Sequence, residues 1–261
     1  MKLETVIYET RRGVAHVRLN RPHRLNAMVP QLMRDLHDAL QAAAGDPEVK
    51  VVILSGEGRA FCAGDDLKEA AKGYDGVAEV RQFIDAIQQV TVDMKTMRKP
   101  IIGAVHGYAV GGGCELALGC DLVVAAEDAK FGFPETGVAQ FVTGGITHFL
   151  PRAVGLAKAK ELIMTGEFFD GREAERLGLV NRAVPKDDVL PCAEALARKI
   201  MEKAPISIAL TKVALESGVQ VDLTTAMALE TASTITCFMT EDAKEGARAF
   251  VEKRPPRYQG R

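Results

Sequence analysis

The sequence predicts an α/β protein, and three observations carry that prediction. Four short, mostly apolar segments, Val14–Leu19, Val49–Leu54, Ile101–Val105 and Leu122–Ala126, have the length and the β-branched character of strands. Helical spacing fills the gaps between several of them, giving the strand–helix alternation of an α/β core. Beyond about residue 143 the pattern changes, and candidate helices follow one another to the C-terminus.

In chain order, Val14–Leu19 reads as the first strand. Asn26–Ala44 then repeats an apolar residue every fourth position, at Met28, Leu32, Leu36 and Leu40, which is one face of a helix. Val49–Leu54 is apolar apart from Lys50, with Val51–Leu54 unbroken, as a buried strand requires. Phe83–Met97 returns to helical spacing. Ile101–Val105 is another buried strand, closed by glycines, and Leu122–Ala126 is a further one. The later helices are expected at Gly145–Leu150, Leu156–Met164, Arg172–Leu177, Val189–Lys203, Ile206–Ser217, Leu223–Phe238 and Ala243–Val251. Asp170 suits the cap of the third of these and Pro205 a first helical turn. The segment "LGLVNRAVP" reads as a short strand leaving a helix. The C-terminal helices have apolar faces, so they need either the core or a neighbouring subunit to pack on.

The 261 residues are 47% apolar, enough to bury a sizeable core. A net charge of −2, with both signs interspersed, excludes an electrostatic nucleic-acid or membrane binder. The five cysteines are an odd set without a CxxC pair, which speaks against a disulfide framework and for a reducing cytoplasm. Cys114 and Cys120 have no nearby His or third Cys, so no metal site is expected. The N-terminus lacks the apolar core of a signal peptide, and no apolar run reaches the roughly 18 residues of a membrane span.

The chemistry concentrates in three stretches. In "GYAVGGGCELALGCDL" a glycine run leads from a strand into a helix, with Glu115 in its first turn. Glycines let a ligand approach main-chain N–H groups, and a helix N-terminus offers unpaired ones. Together they suit a developing oxyanion. Tight helix–strand packing explains the same glycines equally well. The stretch is neither GxGxxG nor a phosphate loop with GK[ST]. "SGEGRAFCAGDDLKE" holds a second small-residue turn, Ala63-Gly64-Asp65, after another buried strand; an ordinary βα loop also fits it. "KFGFPETGV" adds Glu135. Alone it reads as a solvated turn residue, but beside Glu115 it makes a carboxylate pair able to move protons.

Taken together, these stretches resemble the crotonase superfamily, also called the enoyl-CoA hydratase/isomerase family. "VRLNRPHRLNAM", "RAFCAGDDLKE", "KPIIGAVHGYAVGGGCELALGCDLVVAAEDAKFGFPE", "MTGEFFDGREAERLGLVNRAV" and "AFVEKRPPRYQGR" carry the resemblance over nearly the whole chain. It implies a crotonase-like spiral of ββα units over residues 1–200 and a C-terminal helical region, 201–261, for trimerisation, often with two trimers stacked. It implies acyl-CoA thioester substrates and no metal or redox cofactor, coenzyme A being part of the substrate. The backbone N–H groups of Asp65 and Gly112 would form an oxyanion hole. Glu115 would activate water for attack on C3 and Glu135 would protonate C2, the syn hydration of a 2-enoyl-CoA to a 3-hydroxyacyl-CoA. CoA contacts are expected from Ala63 and the segment Asp65, Asp66, Leu67 and Lys68, from Arg24, and from a neighbour's Lys253, Arg254 and Tyr258.

One stretch departs from the family pattern G-x-x-P-G-x-G-G-T-Q-R-L. Here the loop after Glu135 reads "GVAQFVTGGITHFLPRAVG", with Phe141-Val142-Thr143 in place of the loop proline and first loop glycine. His148 stands near the usual arginine, as a polar contact or a structural residue. The bulk of Phe141 points to a short, cyclic or branched acyl group. A double-bond isomerase, or a hydrolase of a cyclic β-ketoacyl-CoA, would use the same scaffold. A non-catalytic acyl-CoA- or RNA-binding relative is the reading from a different class.

Overall fold

The computed structural model describes residues 3–261. The chain opens with the antiparallel hairpin β1 (Val6–Arg11) and β2 (Val14–Leu19). There follow α1 (Pro30–Gly45), β3 (Val51–Gly56), α2 (Leu67–Ala70), α3 (Val77–Thr96) and β4 (Ile101–Val105). Next come β5 (Tyr108–Val110), α4 (Gly112–Gly119), β6 (Leu122–Ala126), β7 (Lys130–Gly132), α5 (Ile146–Val154), α6 (Leu156–Thr165), β8 (Phe169–Asp170), α7 (Gly171–Arg176) and β9 (Arg182–Val184). The chain ends with α8 (Val189–Met201), α9 (Pro205–Gly218), α10 (Leu223–Phe238) and α11 (Glu241–Val251).

Six strands form one sheet in the order β1-β2-β3-β4-β6-β9, parallel throughout except for the first pair. Its central strands are apolar on both faces because both are covered. All of Val51–Leu54 and Ile101–Val105 is buried. From α1, Leu32, Leu36 and Leu40 are fully buried, each contributing about 2 kcal/mol by leaving water. A second, smaller sheet has the order β5-β7-β8. Each of its strands leaves the main sheet or a helix for only two or three residues, too few for a period-2 pattern to register in sequence.

Four expectations are corrected. The helix expected over Phe83–Met97 starts six residues earlier, at Val77, and ends at Thr96. The helix expected from Asn26 starts at Pro30. Asn26 is fully buried with positive φ, and its side chain accepts from the Arg21 amide and donates to the Glu57 and Ala60 carbonyls. Those bonds hold residues 26–28 as loop. The strand expected from Val49 starts at Val51. The helix expected to end at Leu150 continues through Pro151 to Val154.

The residue 200/201 boundary falls in the last turn of α8. Beyond it, Lys212 of α9 is buried and fastens that helix to the sheet. Its Nζ donates to Asp121 Oδ2 and to the Met94 carbonyl, both at 2.7 Å. By contrast α10 buries no residue, and Leu223, Phe238, Met239 and Phe250 are each at least 74% exposed. The basic tail does not fray but folds back on α11. Arg254 pairs with Glu245 at 2.6 Å, and the Gln259 and Gly260 amides donate to Asp242.

Candidate active site

Main-chain stitching brings the first two motifs together. The loop carrying residues 60–66 lies between residues 25–28 and β5. On one side the Met28 amide donates to the Gly64 carbonyl, and the Asp66 amide donates to the Met28 carbonyl. On the other, the Cys62 amide donates to the Tyr108 carbonyl and the Val110 amide to the Cys62 carbonyl. Gly64 permits the close approach. A Cβ on it would lie 2.7 Å from the Val110 carbonyl oxygen, inside any packing distance, and its φ is +79°.

This stitching leaves the amides of Asp65 and Gly112, two residues lining one cavity, without acceptors among the described residues. Gly112 is the first residue of α4, where helix geometry leaves N–H groups unpaired. Two unsatisfied donors facing one space suit an anionic oxygen.

Glu115 lies one helical turn further on and is 4% exposed. Its Oε1 accepts from the Thr143 amide at 2.5 Å and its Oε2 from the Thr143 hydroxyl at 2.6 Å. Burial pushes its carboxyl up to about 7; the two Thr143 bonds oppose this, while the charges of Glu135 and Asp65 add to it.

Glu135 follows Pro134 in a 3₁₀ turn, Pro134–Val138, and is 8% exposed. Neither carboxyl oxygen has a partner among the described residues. A buried carboxylate without partners is costly, and such groups concentrate where chemistry needs them. Burial raises its pKa, and the charge of Asp65 raises it further. Its Oε1 is 3.1 Å from where a Cβ on Gly111 would stand, which places it beside the start of α4.

A cavity of about 80 Å³ joins Asp65, Gly112 and Glu135. Ala63, Asp65, Leu67, Gly112, Glu135 and Phe141 line it, together with Thr143. Phe141 is largely exposed at the rim. Glu115 stands behind Thr143 and outside the lining. Arg24, Asp66 and Lys68 also lie outside it. Asp66 is engaged by the Arg21 guanidinium at 3.1 Å. Arg21 in turn donates to the Ala27 carbonyl, so it holds the loop in place. His148 packs edge-on against Phe149, away from the cavity. Cys62 is no nucleophile, since burial pushes its thiol up to about 12. Sequence reasoning read Thr143 only as a departure from the loop pattern; its contact with Glu115 spans 28 residues and left no local signal.

Comparison with known proteins is decisive at this point. Residues 9–261 match the family described as Enoyl-CoA hydratase/isomerase. The chain belongs to that family. Membership places it in the crotonase superfamily, as its motifs implied. Among similar family members are the crotonyl-CoA hydratase of Syntrophomonas wolfei, 39% identical over 97% of both chains, and the mitochondrial methylglutaconyl-CoA hydratase of Mus musculus, 40% identical over 97% of this chain and 81% of that one. The crystal structure of an enoyl-CoA hydratase from Bacillus anthracis superposes with a TM-score of 0.95 at 37% identity, covering 99% of this chain and all of the other. That match confirms the crotonase-like α/β fold expected from the sequence.

Proposed function

We propose that the protein is an enoyl-CoA hydratase, which reversibly adds water to a 2-enoyl-CoA thioester to give a 3-hydroxyacyl-CoA. One observation carries the reading: two unpaired amides, Asp65 and Gly112, stand beside two buried glutamates. The thioester oxygen accepts from both amides, and a donor in such a hole lowers the barrier by about 3 kcal/mol. Ionised Glu115 removes a proton from water as the oxygen bonds to C3. The electrons of the double bond move onto the thioester oxygen as an enolate. Protonated Glu135 then delivers a proton to C2, and its burial favours the protonated form this step requires. The similar family members named as crotonyl-CoA and methylglutaconyl-CoA hydratases support this reading. CoA is part of the substrate, and no separate cofactor enters the scheme.

The exposed apolar residues of α10 and α11 support a homotrimer or a dimer of trimers, tested by light scattering after gel filtration. Among the described residues no helix is long and apolar enough to cross a membrane.

One observation favours a second reading. Both Glu115 oxygens are already engaged by Thr143, whereas Glu135 is free. A double-bond isomerase needs only one carboxyl to carry a proton between carbons. The deciding experiment follows crotonyl-CoA through its conjugated thioester absorbance in wild type, Glu115→Ala and Glu135→Ala. Hydration abolished by either substitution supports the two-glutamate scheme. Isomerisation that persists in Glu115→Ala and is lost in Glu135→Ala supports the second reading.

A further inference from the structure

Thr143 is the one polar side chain that bridges the cavity and the buried Glu115. It occupies the variable position of the family pattern, just before the paired glycines Gly144-Gly145, where every residue but proline offers an amide and few offer a hydroxyl. Here both groups point the same way. The amide donates to Oε1 at 2.5 Å and the hydroxyl to Oε2 at 2.6 Å. Gly144 and Gly145 follow, with φ of 52° and 75°, and turn the chain away at once. The approach is close: a Cβ on Gly144 would lie 3.1 Å from Glu115 Cβ and 3.2 Å from Oε2.

Donor arithmetic gives this arrangement a chemical direction. A threonine hydroxyl has one proton and two lone pairs. The proton is committed to Glu115, so the hydroxyl oxygen can only accept from the cavity it lines. A water molecule there can donate one hydrogen to a free lone pair of Glu115 and the other to Thr143. Its own lone pair is then left to face the acyl group.

We propose that Thr143 is a positioning residue: its amide and hydroxyl aim the Glu115 carboxylate, and its hydroxyl oxygen accepts the second hydrogen of the water that Glu115 activates. The role in turnover rests on the hydratase reading; the clamp on Glu115 does not. A second consequence follows for titration. Both bonds favour ionised Glu115, because only a carboxylate accepts at both oxygens, so the clamp lowers the pH at which the base becomes available.

The test compares wild type, Thr143→Val and Thr143→Ser by two measurements. The first is kcat and KM for crotonyl-CoA hydration against pH. The second is the titration of Glu115 in the resting enzyme, followed by NMR of protein carrying ¹³C-carboxyl glutamate, with Glu115→Gln assigning the resonance. Thr143→Val keeps the shape and the amide but loses the hydroxyl. Loss of a hydrogen bond to a charged group should lower kcat by about tenfold or more, with KM within about twofold. The Glu115 titration and the acid limb of the rate profile should both move to higher pH. Thr143→Ser should recover most of the loss in both measurements. An unchanged Glu115 titration in Thr143→Val overturns the proposal, as do equal losses in the Val and Ser variants. If wild type hydrates no enoyl-CoA, the hydratase reading fails on its own. The NMR titration then still decides the clamp.

Discussion

Replacing Glu115 by glutamine should stabilise the protein at alkaline pH while removing its activity. The carboxyl titrates at about 7 in the fold, against an ordinary value of 4.5. Between those two values the folded state holds a proton that the unfolded chain has released, so stability falls as pH rises through this window. At about 1.4 kcal/mol per pH unit, the ionised form costs the fold about 3 kcal/mol once the pH exceeds 7. Glu115 is 4% exposed, so solvent screens little of this. Glutamine keeps an oxygen for the Thr143 amide and never ionises. For a chain of this size, about 3 kcal/mol corresponds to a Tm shift on the order of 6–12 °C. The assay is thermal unfolding of wild type and Glu115→Gln at pH 4.5, 6 and 8.5. The two proteins should melt within a few degrees of each other at pH 4.5 and diverge with rising pH, the variant being the more stable. Parallel curves, or a variant less stable at pH 8.5, would refute the reasoning, because the burial cost would then not reside in the Glu115 charge.

Other consequences are equally open to measurement. Because Glu115 must be ionised to activate water, kcat/KM for hydration should fall about tenfold per pH unit below 7; a flat profile from pH 5 to 8 would exclude Glu115 as the base. Lys212→Met leaves the half-buried Asp121 without the Lys212 ammonium and should cost about 1–3 kcal/mol in urea unfolding, with part of the loss recovered by adding Asp121→Asn. In Gly113→Ala the new Cβ would lie 2.1 Å from the Cys62 carbonyl oxygen, a backbone atom. Forcing the segments apart should cost about 1–3 kcal/mol and misalign the two free amides, so activity should drop more than stability. The cavity lining includes Asp65 and Glu135 and no Lys, Arg or His. An acyl group ending in a carboxylate should therefore show kcat/KM at least about tenfold below crotonyl-CoA, and equal values would show that a cation reaches the site from elsewhere.

Sequence was most informative where one local force dominates. The bounds of β4, β6 and α10 were read to the residue. The first two are uninterrupted apolar runs, and α10 is preceded by the N-cap Asp222, whose carboxylate accepts from the Thr225 amide. Asp170 likewise caps α7, as expected. By contrast β1 went unread because its outer residues, Thr10 and Arg11, are exposed and its apolar signal is weak. The small sheet escaped because its strands are held by pairing rather than composition. The two amides and two glutamates were located by motif, since nothing in a single chain reveals that residues 65, 112, 115 and 135 meet. Arg24 and Lys68 were expected by the same route as CoA contacts, and they stand outside the cavity lining.

The two free amides have a consequence for how such a site can change. They belong to the main chain, so no exchange among the ordinary side chains deletes either donor; only proline at 65 or 112 would. The groups that direct protons are different in kind. Glu115, Glu135 and Thr143 act through side chains, and a single substitution removes any one of them. Variation at this site therefore begins with what happens to a stabilised enolate and reaches the capacity to stabilise one last. A chain like this one can lose or exchange its reaction in one step while keeping the part of catalysis hardest to rebuild.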